Sequence, residues 1–257
     1  MRLLHLIGVV VELASTRHTR PPVYVPGGGS TGGGGLSAFG PGLLFFGGVL
    51  LVALIAYLAY AMQRARRQGF QQMAARLNLS YSRHDQLGVL GYPFTLFSRG
   101  DSRKLENIIS GSWQEVDVIA FDYRYTEGSG KSQTDYLFDC AIVPIEADSP
   151  RLLIEHENLL TSLAGALSFR DQQFESDAFN EEFRVHCDVP KFANDVLDAR
   201  MMQWLLDNGS GCFFEVVGDR VLVAGPRIKP AELLWLLGVA RGFTQHVPKV
   251  VSSLYPE

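Results

Sequence analysis

Twenty consecutive uncharged residues, Leu43 to Met62, constrain this chain more than any other feature. A helix that crosses the hydrocarbon core needs about 20 apolar residues, and a buried helix of a globular domain seldom avoids charge over such a length. The run therefore predicts one transmembrane helix over 43–62. Gly47 and Gly48 are tolerated in a membrane helix, and Tyr57 and Tyr60 suit its interfacial end. Gly42, Gly47 and Gly48 form no GxxxG pair, so no specific helix dimer is implied.

The flanks set the orientation. Pro21 to Gln63 carries no charge, whereas Arg64, Arg66 and Arg67 follow the run at once. Positive residues stay cytoplasmic, so the N-terminus is expected outside the cell membrane and the C-terminal part in the cytoplasm. The three arginines are expected to flank the anchor at headgroup level, in contact with the lipid bilayer. Upstream, Leu3 to Leu13 is too short to span. It also lacks a small-x-small cleavage pattern, since cleavage after Ala14 would put Glu12 at the −3 position. Eleven of the 26 glycines fall between Gly27 and Gly48. Residues 1–40 accordingly read as a disordered Gly-rich tail.

The charge divides with the chain. Residues 1–62 carry a net +2, and the remainder carries 20 basic and 26 acidic residues, a net −6. An acidic domain lacks the basic footprint of nucleic-acid binding. It should also be repelled overall from an anionic leaflet. Three cysteines do not make a disulfide framework.

Residues 64–257 read as one α+β domain with mainly antiparallel sheet and packed helices, with a sub-boundary near 170–180. A helix continues from the span over Arg64 to Leu77, and Asn78 stops it. Strands are predicted at Pro93–Phe97 and Leu105–Ser110. A long hairpin pairs Val116–Tyr125 with Gln133–Ile145, and in its first arm Val116, Val118 and Ala120 are set against Asp117, Asp122 and Arg124. Leu152–Ile154 adds a strand and Asn158–Leu167 a helix. Phe183–Cys187 is a strand. Pro190–Leu197 and Ala199–Leu206 are helices. Cys212–Val217 and Val221–Ala224 are expected to form a hairpin across Gly218-Asp219, and Pro230 opens a last helix to about Gly242. Ser176 or Asp177 should cap a turn ended by Asn180, with Phe174, Phe179 and Phe183 anchoring it in the core.

The motifs argue against chemistry more than for it. Gly130-Lys131-Ser132 matches the end of a phosphate-binding loop, but the first glycine of that motif is replaced by Tyr125, and a strand follows instead of a helix. No C-x-x-C, H-E-x-x-H or G-x-S-x-G spacing occurs. His186 and Cys187 are adjacent, so in a strand they face opposite ways. Cys140 reads as a small core residue. No cofactor and no metal is expected.

The string from Glu175 to Val185, with Asp188, Phe192-Ala193, Arg200-Met201-Met202, Asn107 to Gly111 and Phe121-Asp122-Tyr123, resembles a family of bacterial membrane-tethered proteins that carry a domain of unknown function. The resemblance covers roughly residues 64 to 257. It implies a single N-terminal span in the inner membrane followed by a cytosolic α+β domain, and it carries no catalytic residue.

The expected function is thus a non-enzymatic, membrane-anchored interaction or scaffold module with a protein partner at the inner face. Lys131 at the hairpin tip and Trp235 on the last helix are the candidate partner contacts, although the apolar neighbours of Trp235 favour a place in the core. Two alternatives stand beside it. A membrane-tethered hydrolase would require His186 or His156 in a pocket, with a carboxylate in hydrogen-bond reach. A ligand-sensing domain would require an outer segment able to fold, and the Gly-rich tail argues against that.

Overall fold

The structure is a computed structural model and describes residues 40–156 and 172–256. The tail over 1–39, the helix expected at Asn158–Leu167 and the start of the proposed 170–180 boundary lie outside the described residues. The elements in chain order are α1 (Gly40–Leu77), β1 (Ser80–His84), α2 (Thr95–Ser98), β2 (Asp101–Trp113), β3 (Val116–Glu127), β4 (Thr134–His156), α3 (Asp177–Glu182), β5 (Phe183–Cys187), α4 (Pro190–Val196), α5 (Ala199–Asn208), β6 (Phe213–Pro226), α6 (Leu233–His246) and α7 (Val250–Leu254). Short 3₁₀ turns occupy Val89–Gly91, Gly130–Ser132 and Pro230–Glu232. Contacts divide the chain into two units after Ala65.

The described part of the first unit is helix. It belongs to the one described helix long and apolar enough to cross a membrane. Leu50, Tyr57 and Met62 are 70%, 66% and 73% exposed, so these side chains are not packed into a described core. The helix is unbroken to Leu77, as the periodicity of Phe70, Met73, Ala74 and Leu77 predicts. Asn78 ends it in the left-handed region (φ 56°), and the Leu79 N–H closes back on the Ala74 carbonyl at 2.9 Å.

The second unit is an α+β domain around a six-stranded antiparallel sheet in the order β1-β2-β3-β4-β5, with β6 on the other flank of β4. Both faces of the sheet are covered. On one lie Phe70 and Met73 of α1 with α3 to α7, packed over Val118, Ala120, Ala141, Val143, Ile154 and Val223. On the other, Val89, Phe94, Leu96 and Phe97 of a strap over 85–98 cover Phe121, Tyr123, Tyr125, Phe138 and Phe213. This double cover explains why every residue from Phe138 to Val143 is buried.

The expected β3–β4 hairpin is present, in register from Ile119↔Ile142 to Glu127↔Thr134. Other strand expectations are corrected. Pro93–Phe97 is no strand: Thr95–Ser98 turns as a short helix, because the Thr95 N–H is bonded to the Glu215 carboxylate instead of a ladder. Gln133–Ile145 and Leu152–Ile154 merge into one 23-residue strand, Thr134–His156, with Gln133 just outside it. The hairpin across Gly218-Asp219 does not form. Both of its arms pair with β4, and Gly218 (φ 58°) bends β6 where β4 bulges between Pro144 and Leu152. The first strand, β1, had no sequence signal strong enough to name.

The capped turn holds. Ser176 Oγ accepts the Phe179 N–H at 3.3 Å, and Phe179 stacks on Phe183 at 5.1 Å. Asn180 does not end the turn, which runs to Glu182. Its carboxamide binds both the N–H and the carbonyl of Phe174, at 2.9 and 2.7 Å. Asp198 caps α5 by accepting from the Arg200 and Met201 N–H groups.

Candidate functional site

A polar network lies under the helix-covered face. Asp122 and Asp139 stand directly opposite each other on β3 and β4. Strand alternation puts Asp122 on the same side as Val118 and Ala120, so it is an acid within an apolar row and not part of the polar face expected for it. Asp139 stands likewise in line with Ala141 and Val143.

Arg66 joins the two carboxylates. Its Nε donates to Asp122 Oδ2 at 2.8 Å, and its Nη2 donates to Asp122 Oδ1 at 2.8 Å and to Asp139 Oδ1 at 2.7 Å. Arg66 Nη1 donates to the Ile228 carbonyl, and the Ile228 N–H donates to Asp139 Oδ2 at 2.7 Å. Asn107 completes the network from β2. A β-bulge between Glu106 and Ile109 holds it at φ 54°, which re-aims the carboxamide. Its Nδ2 donates to Asp122 Oδ2 at 2.8 Å, and its Oδ1 accepts the Tyr81 hydroxyl at 2.8 Å. Arg227 adds a second cation 3.4 Å from Asp122.

Burial, and then the neighbouring Asp122 charge, push the Asp139 carboxyl up to about 7, against the pull of Arg66. Burial opposes the Arg66 charge, yet hydrogen bonding and attraction to Asp122 and Asp139 hold its pKa above the usual range. One guanidinium planar fork between two acids is the geometry that favours arginine over lysine. The arrangement fixes the part of α1 that begins at Arg66, β2, β3, β4 and the 227–229 segment to one another.

This changes the reading of the arginine flank. Arg64 is exposed and Arg67 is half-buried. The guanidinium of Arg66 is committed to carboxylates of its own domain and not to headgroups. Lys131 lies in the 3₁₀ turn Gly130–Ser132 between β3 and β4, and its side chain is outside the described residues. Trp235 is not core: it is 44% exposed beside Leu234 at 43%, because α6 buries Leu233, Leu236, Leu237, Ala240 and Phe243 instead.

The two histidines singled out from the sequence, His156 and His186, are both buried beside a carboxylate. His186 Nε2 lies 3.9 Å from Glu155 Oε2, and His156 Nε2 lies 3.8 Å from Glu182 Oε2, both longer than a hydrogen bond. Burial raises the Cys140 thiol well above its ordinary value and pushes Cys212 up to about 12, which opposes thiolate chemistry. Among the described residues no group of three His, Cys, Asp or Glu side chains is placed to hold a metal ion. A cavity of about 510 Å³ lies between the β2–β3 turn, β4 and the α6–α7 junction, lined by Glu115, Asp117, Ile145, Glu146, Val247 and Lys249 among others. On the opposite sheet face, fully buried Glu215 accepts the Thr95 N–H at 2.8 Å and the Thr95 hydroxyl at 2.8 Å, fastening the strap.

No protein-family model matches this chain, and no curated protein does. The fold has a solved counterpart. It is similar to the crystal structure of the mycobacterial trehalose monomycolate transport factor A, TtfA, with a TM-score of 0.52 at 12% identity, covering 72% of this chain and 97% of that chain. At that identity the likeness to TtfA is one of fold, and it carries no residue roles.

The Arg66 network has no motif in the sequence, although it leaves a trace there. Asp122 and Asp139 each break an apolar row at the buried parity of their strand, and such a break asks for a buried cation.

Proposed function

We propose that this protein is a membrane-anchored interaction or scaffold module. Its N-terminus lies outside, and its acidic domain binds a protein partner at the cytoplasmic face of the inner membrane. One observation carries the reading: a single unbroken helix, Gly40–Leu77, contains both the uncharged run and the core residues Phe70, Met73 and Ala74. Arg64 and Arg67, next to the charge-free upstream stretch, support a cytoplasmic domain. The TtfA-like fold supports a role connected with transport, the setting that the name of TtfA gives to that protein.

The test is photo-crosslinking of the full chain in native membranes, with the photoreactive residue at position 131 and, separately, at position 146 on the cavity wall. The reading expects one protein adduct of constant mass from at least one position. Adducts with lipid alone, or none at either position, would overturn it.

A further inference from the structure

The tertiary structure brings a second basic segment beside Arg66, just beyond the uncharged run. Arg66 is four residues beyond Met62, a reach of at most about 14 Å of extended chain whatever the path. Its guanidinium is bonded to the Ile228 carbonyl, so the segment Arg227-Ile228-Lys229 is held at the same place. Pro230 is also seated there: a Cβ built on Gly69 would lie 2.8 Å from the Pro230 side chain. Six residues past Lys229, most of them helical and spanning about 10 Å, the exposed pair Leu234 and Trp235 emerges from the first turn of α6.

The local charge contrasts with that of the domain. Residues 63–257 carry a net −6, yet this edge presents Arg227 and Lys229, both exposed. The acid within it, Glu232, turns its carboxylate back onto the Lys229 N–H at 2.8 Å. An exposed tryptophan beside leucine, with cations flanking, is the composition that favours the headgroup boundary of an anionic bilayer. Two side chains fall far short of the roughly 800 Å² per partner that a stable protein interface buries, which disfavours a second copy as the occupant.

We propose that Leu234 and Trp235 form a second membrane contact, entering the headgroup–acyl boundary of anionic lipid with Lys229 at the phosphates. The proposal rests on the reading of 43–62 as a span.

The test uses the full chain reconstituted in vesicles of phosphatidylcholine, with or without phosphatidylglycerol, carrying brominated acyl chains that quench nearby tryptophan. The chain has three tryptophans. The expected result is loss of the emission of one of them, greater with phosphatidylglycerol, abolished in Trp235→Phe and reduced in Lys229→Glu. Carbonate extraction of the same vesicles reports whether the chain is integral. An integral chain whose bromolipid quenching is unchanged by Trp235→Phe overturns the second contact and leaves the span standing. A chain released by carbonate overturns the span reading, and this proposal with it.

Discussion

Arg66 and Asp139 are 73 residues apart in the sequence and share two hydrogen bonds, Nη2 to Oδ1 at 2.7 Å and to Oδ2 at 2.8 Å. With Asp122 they place one cation between two acids that face each other across adjacent strands. Removing one partner of such a buried set leaves an uncompensated charge, which costs about 3–5 kcal/mol. Arg66→Ala should therefore lower the unfolding free energy of the detergent-solubilised chain by about that amount, measured by denaturant titration. Arg66→Lys should recover only part of it, because an ammonium cannot make the planar fork.

The same cluster sets a pH dependence. Asp139 has an ordinary value of 3.8 and is raised to about 7 in the folded protein. A raised acid favours the folded state while protonated, so its contribution is full below 3.8 and is lost as pH rises through about 7. Asp139→Asn should flatten the fall in Tm across that window. A slope identical to that of the unmodified chain would count against this assignment.

Glu215 fastens the strap that covers the aromatic face. Burial raises its carboxyl above the ordinary value, opposed by the Thr95 bonds and by Arg151. Glu215→Ala strands the Thr95 N–H and should cost about 1–3 kcal/mol. Hydrogen exchange should accelerate over residues 85–98 in this variant and much less over α5. Glu215→Gln keeps an acceptor and should show a smaller effect.

Phe179 and Trp235 make a matched pair of aromatic truncations. Phe179 is fully buried and stacked on Phe183, so Phe179→Ala should cost about 3–5 kcal/mol. Trp235 is 44% exposed, and Trp235→Ala should stay within about 0.5 kcal/mol in lipid-free detergent. Thermal melts of the two variants decide this.

Much of the fold was legible because its signals are local. The strand Phe183–Cys187, the Ser176 cap, the Pro190 helix start and the Asn78 stop each depend on residues within a turn of one another. The errors fall where pairing is long-range. Gly218-Asp219 reads locally as a hairpin turn, yet β6 crosses it as one strand because β4 offers a longer partner. Pro93–Phe97 has strand composition but is held by Glu215, 120 positions from Thr95. Trp235 sits among apolar neighbours in sequence, and only the packing of α6 shows which of them turn outward.

The sequence alone determined the apolar helix, the acidity of the domain beyond it and the α+β class, since uncharged length, net charge and periodicity are properties of a chain read in order. The tertiary structure decided what Arg66 does. In sequence it is one of three arginines beside an uncharged run; in the fold it is the counter-ion of two buried aspartates. The cost of burying charge makes that pairing obligatory once Asp122 and Asp139 face inward. No local pattern around Arg66 could have shown it, because both partners arrive from distant strands.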